Sequence, residues 1–80
     1  MLESFADGMI ARARWARDHN NDDPEPGWST GEQLIVALIL DNQAFLRAAD
    51  YTERQVLQRL SGDLLGGDPE AWIADARAAL

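Results

Sequence analysis

The sequence predicts an all-α fold, a compact bundle of about four helices around a central apolar helix spanning roughly residues 30–49. Three observations carry that expectation. The one unbroken apolar run, Leu34-Ile35-Val36-Ala37-Leu38-Ile39-Leu40, is preceded by helix-starting residues and followed by good helix formers; apolar residues elsewhere recur at helical spacing; and Ser, Thr, Asp, Gly and Pro stand where helices would begin and end.

Taking the elements in order, Leu2, Phe5, Ala6, Met9, Ile10, Ala13 and Ala16 share one face of a first helix from about residue 2 to 18. Gly8 weakens it by about 1 kcal/mol relative to Ala. Trp15 projects from the opposite side, either covered by the following loop or exposed for a partner. Arg12, Arg14 and Arg17 point in three directions on a helical wheel, as a solvated surface near the negative end of the macrodipole does.

His19 to Trp28 holds two prolines, a glycine and no apolar period, so it is a loop crossing the end of the bundle. Trp28 is expected to tuck against the start of the central helix as a hydrophobic staple would.

That helix can start at either of two capping boxes, Ser29 with Glu32 or Thr30 with Gln33. No Gly or Pro interrupts Asp41 to Ala49, so one helix is expected to run through. Leu34, Ile35, Leu38, Ile39, Phe45 and Leu46 form a broad face, with Val36, Ala37, Leu40 and Ala44 as a second stripe. Asn42 falls at the centre of the broad face. There it reads as a buried amide that fixes register through an interhelical hydrogen bond, or as a polar spot in a partner groove.

Asp50-Tyr51 makes a short turn, and Thr52 with Gln55 forms a further capping box. The helix it opens carries the stripe Val56, Leu57, Leu60, Leu64, and Gly66-Gly67 ends it. Asp68 as N-cap, Pro69 at the first position and Glu70 in the first turn start a last helix that buries Trp72, Ile73, Ala76 and Leu80.

Eighty residues suit a single helical domain, 1–80, of which folding buries roughly 60% of the unfolded surface. The absence of cysteine removes disulfides, thiolate metal sites and cysteine nucleophiles. The apolar run is far short of the roughly 20 residues that span a bilayer, and the acidic start lacks a signal-peptide pattern, so a cytoplasmic protein without membrane contact is expected. A net charge of −7 opposes nucleic-acid binding and favours a protein partner.

No catalytic, cofactor or metal constellation emerges. Asp18, Asn20 and Asp22 match the first ligands of a calcium loop, but Asp23 stands at the sharp-turn glycine and Ser29 at the bidentate glutamate. His19 is the single histidine, and the carboxylates are scattered through caps and exposed positions. The expectation is a non-enzyme: a small acidic interaction module that uses Trp15, Trp28, Asp22, Asp23 and Glu25 toward a protein partner, tryptophan being enriched at binding hot spots. A variant of it has Asp7, Asp18, Asp22, Asp23 and Glu25 imitating a phosphate array. Helix one is Ala-rich and helix four short, so the Val36/Leu40 stripe or Trp15 is also expected at a homodimer contact.

Two resemblances add to this reading. Asp50-Tyr51-Thr52-Glu53-Arg54-Gln55-Val56, with Leu60 following, resembles the turn and recognition helix of bacterial helix-turn-helix regulators. It implies, as the alternative function, DNA contacts from Arg54, Gln55, Gln58 and Arg59, with Glu53 beside them. It departs from that pattern in Asp50 for the turn glycine, in bulky Leu46, and in the length of the preceding helix. The stretch Gly27-Trp28-Ser29-Thr30-Gly31-Glu32-Gln33-Leu34, with Val36-Ala37-Leu38 and Tyr51-Thr52, is similar to a group of small proteins of actinobacteria and their phages. That similarity brings no activity. A chain with seven arginines and no lysine is consistent with it, and the acidic, cysteine-free interaction module with its three tryptophans is further expected as a phage-encoded modulator of a host protein, acting then in the host cytoplasm.

Overall fold

The computed structural model describes residues 4–64 and 67–80. Five helices follow one another: α1 (Phe5–His19), α2 (Thr30–Ile39), α3 (Gln43–Ala48), α4 (Glu53–Asp63) and α5 (Pro69–Ala78). The fold is all-α, and α2 touches each of the other four helices.

Local chemistry sets each start. The hydroxyl of Ser4 accepts from Asp7 N at 3.1 Å and caps α1, whose first residue is Phe5. Of the two boxes that could open α2, the one formed is Ser29 with Glu32. Gln33 instead donates to the carbonyls of Trp28, at 2.7 Å, and Pro26. Thr52 with Gln55 opens α4, and Asp68 with Pro69 opens α5.

The continuous helix expected from 30 to 49 is not formed. Leu40 ends α2, Asp41 turns into the left-handed region at φ 53°, and Asn42 caps a new helix by accepting from Phe45 N at 3.0 Å. The backbone around the break follows a Schellman pattern: Asn42 N–H reaches Ala37 O at 2.8 Å and Asp41 N–H reaches Leu38 O at 3.1 Å. Asn42 is therefore no buried amide on an apolar face. Its Nδ2 donates to Asp22 O and to Asp23 Oδ1, both at 3.0 Å, which ties the break to the α1–α2 loop.

α3 ends the same way, with Asp50 at φ 62°, Tyr51 N–H on Leu46 O and Asp50 N–H on Arg47 O. Asp is a tolerated substitute for glycine at such a C′ position.

The core contains Leu34 to Ile39, Met9, Ala13, Ala16, Leu46, Val56, Leu60, Ile73 and Ala76. Every residue from Leu34 to Ile39 is buried, so both stripes of α2 are covered within the monomer. Val36 is fully enclosed and Leu40 half-buried at the margin of the core. Leu57, Leu64, Trp72 and Leu80 are half-buried at the margin. Phe5, expected on the buried face of α1, is 41% exposed and lies beside Trp72 with centroids 5.5 Å apart. The expected placements of Leu2 and Gly66 fall outside the described residues.

Candidate functional site: an aromatic cluster beside an acidic loop

Positions i and i+4 on a helix face the same way, so Trp15 and His19 stand one above the other at the end of α1. Their rings stack at 6.0 Å and 13° between planes, and His19 Nδ1 lies 3.3 Å from Trp15 O. The chain then returns through the loop so that Trp28, just before the Ser29 cap, meets Trp15 edge-on, with centroids 5.5 Å apart and planes at 64°. That geometry is favourable for two quadrupoles. Trp28 is half-buried against the core while Trp15 stays 38% exposed.

Trp28 packs against the core just before the Ser29 cap, with a polar partner one turn on in place of an apolar one. The residue one turn into α2 is Gln33, whose amide holds the Trp28 carbonyl, and the indole turns to Trp15.

The loop itself is held by its own polar groups. Asn20 Nδ2 donates to Asp23 O at 2.8 Å, Asp22 N–H to Ala16 O at 3.0 Å, and Gly27 N–H to Glu25 Oε2 at 2.8 Å. Asn21 and Asp22 both take positive φ, 53° and 68°. These bonds order the loop segment that carries Asp22, Asp23 and Glu25, with Asp23 Oδ1 turned to Asn42 Nδ2 and Glu25 Oε2 to Gly27 N–H. The calcium-like spacing does not converge: Asp18 faces Arg17, and Asn20 presents its amide nitrogen, a donor, to the carbonyls of Asp23 and Pro24. Asp7, also part of the phosphate-array reading, lies in the first turn of α1, a helix length away from the loop.

The arginines of α1 are engaged elsewhere. Arg12 pairs with Glu32 at 3.1 Å, Arg14 donates to Ala79 O, and Arg17 pairs with Asp18 at 2.9 Å. The hydrogen bond from Arg17 holds the Asp18 carboxyl below its ordinary range. Glu32 is lowered first by the Ser29 N–H it accepts, then by the Ser29 hydroxyl and by Arg12. Among the described residues no ion pair engages Asp22, Asp23 or Glu25.

At the helix-turn-helix resemblance, two of the three departures change meaning. Asp50 adopts the left-handed conformation the usual glycine supplies, and the preceding helix α3 has only six residues. Leu46 is buried in the core without displacing the turn. On α4, Arg54, Gln55, Gln58 and Arg59 are exposed, but Gln55 is occupied in its capping box and Arg59 lies against Gly31, where an added Cβ would stand 3.3 Å from Arg59 Nε. Arg54 and Gln58 line a groove of about 640 Å³ whose other walls include Glu53 and Glu70.

The Trp15–His19 stack was legible in the i, i+4 spacing but was not expected. The Phe5–Trp72 pair, 67 positions apart, had no local signal. No described helix is long and apolar enough to cross a membrane. No family model matches the chain, and no curated protein or solved structure matches it either.

Proposed function

We propose that this chain is a small acidic helical protein-interaction module whose contact surface centres on Trp15 and Trp28. The observation that carries the reading is the edge-on pair itself: Trp28 anchors in the core margin and holds Trp15 in place, yet Trp15 remains 38% exposed. An aromatic side chain already ordered before binding loses little entropy on contact, which is what makes tryptophan an effective anchor. The reading assigns the chain no catalytic step.

We read it further as a phage-encoded modulator of an actinobacterial host protein, acting in the host cytoplasm. Support for that comes from the similarity around Gly27 to Leu34 and from the arginine-only basic set. Affinity capture from an actinobacterial lysate should recover a stoichiometric partner with the wild type and lose it with Trp15→Ala. Recovery of nothing by a folded wild-type chain would count against the module, and a doubled mass that Trp15→Ala abolishes would identify the partner as a second copy.

Sequence-specific DNA binding is the second reading, favoured by the left-handed Asp50 in the short turn between α3 and α4, the conformation a glycine supplies in the turn it resembles. It would use Arg54 and Gln58, with Gln55 and Arg59 beside them. Glu53 and Glu70 at the same groove, and the net charge of −7, weigh against it because phosphate contacts supply most DNA affinity. Failure to retard any GC-rich fragment at about 50 mM salt would end it.

A further inference from the structure

Leu40, Asp41 and Asn42 alone join the α1–α2 half of the chain to the α3–α5 half, and the connection is under opposing demands. Asp41 stands at φ 53°, where an L side chain crowds its own backbone, and no glycine or proline lies between Leu40 and Ala49. A straight helix through the same residues would remove that strain and add the ordinary i to i−4 bonds across the break. What holds the bend lies outside it. Asn42 Nδ2 is tied to Asp22 O and Asp23 Oδ1, and Arg77 donates to the Leu38 and Ile39 carbonyls that a continuing helix would use.

Straightening has a definite consequence for packing. In the bent chain Leu34 to Ile39 share one core with Leu46, Val56, Leu60, Ile73 and Ala76, and Leu38 lines one small pocket with Leu57 and Ile73. With α3 in line with α2, the α3–α5 half swings off the faces of α2 that it covers. Two apolar surfaces are then open, and each is complementary to the other in a second copy.

We infer that residues 40–42 are a hinge through which two copies of this chain exchange their α3–α5 halves, each copy then carrying one helix over residues 30–49. The surface that receives the second copy is the protein's own core, so the exchange needs no exposed patch and is independent of the Trp15–Trp28 reading. Short connections under strain favour such exchange. The remote bonds of Asn42 and Arg77 favour the bent monomer in dilute solution, and concentration shifts the balance to the dimer.

Asp41 provides two substitutions of opposite sign. Both lose the bond from Gln43 Nε2 to Asp41 Oδ1, so that contact cancels between them. Asp41→Gly removes the cost of the positive φ and lowers helix propensity, which favours the bend; Asp41→Ala does the reverse. Two hinges straighten in each dimer, so the difference counts twice, and the dimer dissociation constant should be at least about tenfold lower for Asp41→Ala than for Asp41→Gly.

Sedimentation equilibrium across a dilution series, on chains refolded from urea at about 1 mM, gives those constants and should show dimer in the wild type as well. In wild type refolded from equal parts of isotopically labelled and unlabelled chain, isotope-filtered NOEs should join the Leu38 methyls of one copy to the Leu57 and Ile73 methyls of the other. A wild type that stays monomeric at that concentration, a smaller ratio between the two Asp41 variants, or a dimer in which those NOEs run only within a chain, as a surface contact would give, each overturns the inference.

Discussion

Arg77 of α5 donates from Nη2 to the carbonyl oxygen of Leu38 at 2.7 Å, and its Nε reaches the next carbonyl, Ile39, at 3.2 Å. Both acceptors belong to the last turn of α2, where a straight helix would have used them for its own next residues. One guanidinium therefore terminates one helix and fastens another to it, with positive charge at the negative end of the α2 dipole.

Arg77→Ala should lower stability by about 1–2 kcal/mol, less than the roughly 1.5–3 of a buried charged donor because Arg77 is partly solvated. Arg77→Lys should recover less than half of that, since a single ammonium cannot serve both carbonyls in the same plane. Urea denaturation of the three chains checks the order.

Asp50→Gly should stabilise the chain by about 0.5–1 kcal/mol, because an L side chain at φ 62° carries a steric cost that glycine does not. Asp41→Gly should gain less, since Asp41 Oδ1 also accepts from Gln43 Nε2 at 2.7 Å. Melting temperatures that rise for Asp50→Gly and not for Asp50→Ala would support this; a fall for both would contradict it.

Asn42 makes contacts from both ends of its amide, so two substitutions separate them. Asn42→Ala removes cap and tie together and should cost about 2 kcal/mol, near the top of the capping range. Asn42→Asp retains the oxygen for Phe45 N–H but sets a carboxylate against Asp22 O and Asp23, and adding Asp23→Asn should restore part of the loss. A double-mutant cycle with no coupling would mean that the loop tie contributes nothing.

The lowered Glu32 sets a pH dependence with a definite sign. A carboxyl whose folded pKa is depressed contributes stability at neutral pH, and that contribution is lost as pH falls from the ordinary glutamate value, about 4.3, through the folded value. Glu32→Gln should be less stable than wild type at pH 7, and the gap should close below about pH 4. Denaturation midpoints measured across that range decide it, with Ser29→Ala expected to cost about 1 kcal/mol through the same box.

Much of the helical architecture was legible because its determinants lie within one turn of the chain. Ser29 with Glu32, Thr52 with Gln55, and Asp68 with Pro69 each bring donor and acceptor, or a fixed φ, to neighbouring residues. The apolar periods of α2, α4 and α5 likewise select a face without reference to the rest of the molecule. The aromatic site was half legible: its two tryptophans stood out, but their contact joins residues on either side of a loop, and the partners of His19 and Gln33 depend on where that loop returns.

By itself, then, the sequence determined that the chain is helical, where α4 and α5 begin, and that the run from Leu34 is the centre of the core; which of two boxes opens α2, and that Leu34 to Ile39 are all covered within one chain, came from the structure. Only the tertiary structure decided that residues 30–49 are two helices. Between continuing and breaking at Leu40-Asp41-Asn42, local propensities differ by tenths of a kcal/mol, and neither outcome has a glycine or proline to enforce it. The break is stabilised from afar: Asn42 is held by Asp22 and Asp23, some twenty residues earlier, and the α2 carbonyls by Arg77, 39 residues beyond Leu38. Those donors and acceptors become neighbours only once α1, α2 and α5 have packed, so no window of the chain short enough to read by period contains them.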